Sequence, residues 1–136
     1  MFPIKKKMPL ALIVALLSMC SVKVDAQDVV ADTTMLPIIA TIQAGNADSL
    51  ALFFNQRVEL SLPDFSAISS QNQAKMMLYT FFKSNKPTDF SLISQNQSNG
   101  GFFIVGTMSC ADKWFRVSFL TKDHNSQQLI YQFSIE

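Results

Sequence analysis

Few side chains in this sequence could do chemistry, and their surroundings decide what each is for. His124, the only histidine, sits in Asp123-His124-Asn125-Ser126. A general acid–base histidine needs an orienting partner, and one in a polar turn reads as a solvated turn residue. Glu59 could act as a base only if the polar side of its strand faced a cavity, yet Val58, Leu60 and Leu62 claim the core side. Asp48 reads as a helix cap, Asp64 and Asp89 as turn residues at strand ends, and Asp112 as a hairpin residue. Cys110 has only Lys113 as a nearby cation, so it reads as a buried or turn thiol and not as a nucleophile. Tyr131 shares a parity with Leu129, Phe133 and Ile135, which sends its hydroxyl inward. There it either reaches a backbone carbonyl or lines a small-molecule pocket. Tyr79 is the other tyrosine. The four glycines, at 45, 100, 101 and 106, make no phosphate loop. No His, Cys or acid pairs have metal-ligand spacing, and no serine has a histidine placed for a triad. The expectation is a chain that is not an enzyme and carries no cofactor or metal.

What positions these residues begins after a segment of another kind. Lys5, Lys6 and Lys7 precede the uncharged apolar run Pro9 to Met19, and Ser21-Val22-Lys23-Val24-Asp25-Ala26 then turns polar. That is the pattern of an export signal over 1–26, cleaved after Ala26, with Val24 and Ala26 at the small-residue positions. The apolar run is about half the roughly 20 residues of a membrane span. A rival reading attaches lipid at Cys20, but Met19 is too bulky for the position before such a cysteine. Removing 26 of the 136 residues leaves 110, with seven basic and nine acidic side chains and a net charge of −2. Without a basic excess, nucleic-acid binding is not expected. With Cys110 as its lone thiol, the exported chain has no internal disulfide and must stand on its hydrophobic core. Apolar residues make up 49% of the sequence, too many for disorder.

Residues 27–33 form a flexible polar lead-in, and 34–136 form one domain. Met35, Ile38, Ile39 and Ile42 draw one helical stripe, opened by Pro37 and closed by Gly45. Asn46 or Asp48 caps a shorter helix bearing Ala47, Leu50, Ala51 and Phe54. Arg57 to Leu62 alternates as a strand. After a Ser-rich connection, Ser69 or Ser70 with Gln71 and Gln73 opens a helix whose stripe is Ala74, Met77, Leu78, Phe81 and Phe82. Four strand-like runs follow (90–94, 102–109, 114–121 and 129–135), separated by turns short enough for an antiparallel meander. The predicted fold is α+β: three helices packed on a curved, mainly antiparallel sheet, in the order α-α-β-α-β-β-β-β, shaped as a cone.

Three short helices need not fill such a cone, and an unfilled remainder is an apolar pocket lined by Met77, Phe81, Phe115, Phe119 and Tyr131. On the other face of the sheet, Trp114 and Arg116 have the composition enriched at interfaces.

The run Ile42-Gln43-Ala44-Gly45-Asn46-Ala47-Asp48-Ser49-Leu50 leading to Phe53-Phe54, then Val58-Glu59-Leu60, the helix from Gln73-Ala74 to Phe81-Phe82, and the strand Phe115-Arg116-Val117 resemble the nuclear transport factor 2-like (cystatin-like) superfamily. More narrowly, they are similar to the short exported bacterial proteins of domain of unknown function family 4783. The resemblance covers residues 34–136 and implies the cone fold. It implies no single activity, because the superfamily includes enzymes, adaptors and binding modules. It also implies where an enzyme site would lie: inside the cone, with an Asp or His aided by a Tyr or a second acid. Dimerisation through the outer sheet face is common in that superfamily. The resulting expectation is a periplasmic or secreted, non-catalytic binding or interaction domain, with no membrane span once the signal is cleaved. Its candidate partners are a small apolar ligand, an envelope protein or a second copy. The rivals are a small isomerase- or hydrolase-type enzyme using a tyrosine and an acid in the cone, and an assembly partner acting through the outer sheet face.

Overall fold

Gly45 sets the first corner of the chain. In the computed structural model, which describes residues 29–136, helix α1 (Leu36–Ala44) ends there at φ 63°. The Gly45 N–H donates to the Ile42 carbonyl and the Asn46 N–H to the Thr41 carbonyl, the paired bonds of a left-handed helix stop. The Asn46 side chain then accepts the Ser49 N–H at 3.1 Å and starts helix α2 (Ala47–Ala51). Met35, Ile38, Ile39 and Ile42 are all buried, as their spacing predicts. The export segment, cleavage after Ala26 and the alternative at Cys20 lie outside the described residues.

Strand β1 (Phe54–Leu62) starts earlier than the alternation suggests and takes Phe54 from the second helix. It turns at Pro63-Asp64 into β2 (Phe65–Ser70), where a Ser-rich connection is expected from sequence. Ser70 both ends β2 and caps helix α3 (Gln71–Ser84), its Oγ accepting the Gln73 N–H at 3.1 Å. The Gln71 amide donates to the Ala51 and Phe54 carbonyls, at 2.8 and 3.2 Å, tying α3 to the end of α2 and the start of β1. The meander follows as β3 (Asp89–Ser98), β4 (Gly101–Cys110), β5 (Lys113–His124) and β6 (Gln127–Ile135).

The six strands form one sheet in the order β2-β1-β6-β5-β4-β3, antiparallel except where β1 runs parallel to β6. The α+β architecture is therefore as expected, with β2 as an added edge strand. The inner face carries Val58, Leu60, Ile104, Met108, Val117, Phe119, Ile130 and Phe133, all essentially without exposure, under the three helices. Phe133 is central: its ring stacks on Phe119 at 6.0 Å and leans on Phe54 at 5.8 Å.

Of the three register shifts in this sheet, one lies between Phe54 and Glu59 where β1 meets β6, and two lie in the meander. β3 carries an extra residue between Leu92 and Ser94. On β4, Gly106 leaves room for the Phe90 ring, and a Cβ there would lie 2.7 Å from the Ser91 carbonyl oxygen. The absent side chain lets an aromatic ring from the neighbouring strand lie over the bend. Gly106→Ala is expected to cost about 1–3 kcal/mol by overpacking. Urea unfolding would measure it, and an unchanged midpoint would contradict this role.

The second irregularity lies between β5 and β6, where Leu120 faces Gln132 but Thr121 faces Ile130, leaving Tyr131 as the extra residue. The buried Thr121 hydroxyl pins the distortion. It accepts the Phe102 N–H at 3.1 Å and donates to the Gln128 side-chain oxygen Oε1 at 2.7 Å, while the Gln128 Nε2 donates to the Gly100 carbonyl at 2.7 Å. Thr121→Val would leave the Phe102 N–H buried and unpaired, an expected loss of about 1–3 kcal/mol. Faster amide exchange at Phe102 would mark it, and unchanged exchange there would argue against it.

Candidate functional site

The bulge corrects one expectation directly. A strict alternation from Leu129 to Ile135 sends Tyr131 inward, but the extra residue reverses parity, so Ile130 and Phe133 both face the core. Tyr131 lies half-buried on the outer side, with the Lys122 ammonium 4.8 Å from its ring centre. It lines no interior pocket. Phe119 does not line one either: it is 1% exposed and stacked in the solid core.

One open space lies beside the second half of α3. The β1–β2 turn folds over the second half of α3, and the start of β5 closes the third side. Between them lies a groove of about 470 Å³, lined on its apolar side by Leu62, Phe65, Met77, Phe81 and Phe115. Met77 and Phe81 are successive inward turns of α3, and Phe115 shares its strand parity with Val117 and Phe119. Phe81 and Phe115 meet edge to face at 5.2 Å, which fixes the groove floor. Three of the five expected lining residues are thus brought together. Leu62 and Phe65 join them through a strand pairing that sequence periodicity does not report. Thr80, Ser84, Asn85, Asp64 and Lys113 form the polar part of the lining.

Ionisable groups are scarce on the inner side. The only buried polar residues among those described are Ser69 and Thr121. Glu59 is exposed on the outer face, opposite Ile68 and Gln132. His124 is exposed at the end of β5, and Tyr79 is exposed on α3. Cys110 is a free, buried thiol, and desolvation pushes its pKa up, disfavouring the thiolate. Among the described residues, no three His, Cys, Asp or Glu side chains stand close enough together to hold a metal ion. No described helix is long and apolar enough to cross a membrane.

Near the start of the domain, Asp32 accepts the Thr34 N–H at 3.0 Å and the Thr34 hydroxyl at 2.7 Å, which together hold its carboxyl below the usual range. Its own N–H donates to Gln95 of β3 at 2.8 Å, so the chain is tied to the sheet from this point.

On the outer face, Trp114 is 68% exposed, and Arg116 is exposed one step along the same face. The same face carries larger side chains at Ile68, Phe103, Leu120 and Tyr131 and also a row of serines. One row across all six strands reads Ser66, Ser61, Ser134, Ser118, Val105 and Ser94.

The model of the family described as Domain of unknown function (DUF4783) matches residues 36–136. Among solved structures, the chain is similar to a DUF4783 family protein from Bacteroides fragilis, with 25% identity and a TM-score of 0.69 over 74% of this chain and 94% of that one. It is similar to a second from Bacteroides ovatus, with 24% identity and a TM-score of 0.69 over 81% and 96%. The fold also matches an NTF-2 like protein of unknown function from Silicibacter pomeroyi, with 11% identity and a TM-score of 0.57 over 76% and 88%. No curated protein matches the sequence.

Proposed function

This chain belongs to the DUF4783 family, and from that premise we propose that it is an exported, non-catalytic binding domain whose groove beside the second half of α3 takes a small apolar ligand. Membership supplies the architecture and no activity, so the reading rests on the site. The observation that carries it is the groove itself. Its volume of about 470 Å³ lies in the range of small-molecule sites, and aromatic and aliphatic side chains floor it, with polar groups at the edge. The non-catalytic part of the reading is supported by the character of the inner side, where the buried polar groups among the described residues are two hydroxyls. Export is supported by the charge and hydropathy pattern of residues 1–26.

Titration with the neutral fluorophore N-phenylnaphthylamine tests the reading. A saturable signal that dodecanol displaces is expected. A signal that never saturates, or one that Phe81→Ala leaves unchanged, would count against it.

A second reading is favoured by Trp114: the outer sheet face meets a second copy or an envelope protein. A large exposed indole beside an arginine, on an open sheet face, suits a protein contact. Sedimentation would test the homodimer, with a dimer expected for the native chain and a monomer for Trp114→Ser. A native monomer at all accessible concentrations would refute it.

A further inference from the structure

The groove does not end at its apolar floor. Ser84, Asn85 and Lys113 also line a second cavity of about 530 Å³ beside it. This neighbour gathers cationic side chains: Lys83, Lys86 and Lys113 line it, with Asp112 as its one acid. Residues 27–136 hold seven basic side chains and carry a net charge of −2, so three of the seven gathered at one end make a local reversal of the domain's sign. Lys83 and Lys86 have an ordinary structural role as well, because cations offset the carbonyl end of a helix and α3 stops between them. Lys113 has no such role. It comes from β5 and lines both cavities.

Resting on the reading of the groove as a ligand site, we propose that its ligand is a monomeric anionic amphiphile, a medium-chain fatty acid. The alkyl chain lies over Met77, Phe81 and Phe115, and the carboxylate emerges past Ser84 and Asn85 among Lys113, Lys83 and Lys86. An apolar chain needs the groove, and a carboxylate needs the cations. A neutral apolar compound would leave the basic cavity unused, and a short hydrophilic anion would leave the groove empty. Asp64 and Asp112 stand against the head group, so the preference is set by three cations over two acids across the two cavities.

Calorimetric titration with dodecanoate and with dodecanol, each below its micelle or solubility limit, separates the parts of this proposal. Dodecanoate is expected to bind about tenfold more tightly than dodecanol at low salt, since three partly solvated charges contribute modestly each. The combined Lys83→Gln, Lys86→Gln variant, at side chains outside the groove lining, should lose much of that preference while holding dodecanol unchanged, and adding Lys113→Gln should remove the rest. All three side chains are exposed, and circular dichroism would confirm the fold. Asp112→Asn should shift the preference the other way, by about twofold. Equal affinity for the two ligands, or a preference that survives the triple variant, would overturn the fatty-acid assignment and leave the apolar groove standing. Failure of dodecanol and dodecanoate alike would overturn the groove reading and this inference with it.

Discussion

Phe133→Ala is expected to cost about 3–5 kcal/mol, a large part of what a domain of this size has, and to lower the melting temperature by more than about 10 °C. The reason is geometric. Phe133 stands on the strand where the sheet turns from its parallel pairing with β1 to its antiparallel pairing with β5. Its ring touches Phe119 on one side and Phe54 on the other, and none of the three is more than 2% exposed. Removing it opens a cavity between the two halves of the sheet that no half-exposed neighbour can close. Phe103→Ala is the control. Phe103 lies on the outer face, paired with Leu120, at 41% exposure, and should cost less than about 1 kcal/mol. Chemical unfolding of both variants would measure the difference. Similar losses at the two positions would contradict the assignment of inner and outer faces.

Met77→Glu is expected to weaken an apolar ligand by at least about 30-fold while leaving the fold intact. The side chain is half-buried and packs at the edge of the core, so a carboxylate there can reach water in the free protein. Once a ligand covers the groove, the same carboxylate must be desolvated without a partner, and that cost falls on binding. Displacement of N-phenylnaphthylamine gives the affinity, and thermal unfolding checks that the variant is folded. Unchanged affinity in a folded variant would remove Met77 from the site.

Much of the scaffold is legible from local signals because those signals act locally. The Ile38, Ile39, Ile42 stripe, the left-handed stop at Gly45 and the Ser70 cap with Gln73 three residues on are each settled within a turn or two of chain. The four late strands are legible because their apolar residues alternate and their turns are short. β2 is not, because it is an edge strand with most of its side chains in water, so Phe65 to Ser70 shows no buried alternation. Tyr131 is misplaced by parity for a different reason. A bulge depends on the neighbouring strand, here on Thr121 and its bonds to Phe102 and Gln128, and no residue within β6 announces it. The same distinction divides the site. Met77, Phe81 and Phe115 are legible as inward positions of a helix and a strand. Leu62, Phe65 and Lys113 complete the groove only because the β1–β2 turn and the start of β5 close over the end of α3, a contact between segments far apart in sequence.

The methionine methyl groups give the most direct test of where a ligand sits. The described residues contain four: Met77 in the groove, Met76 beside it on the exposed side of α3, and Met35 and Met108 fully buried in the core. In a methyl-labelled carbon–proton spectrum titrated with dodecanol, the Met77 resonance should move progressively to saturation while those of Met76, Met35 and Met108 hold nearly still. A Met77 resonance that stays fixed while dodecanol binds, or one that moves no more than Met76, would contradict the groove as the binding site.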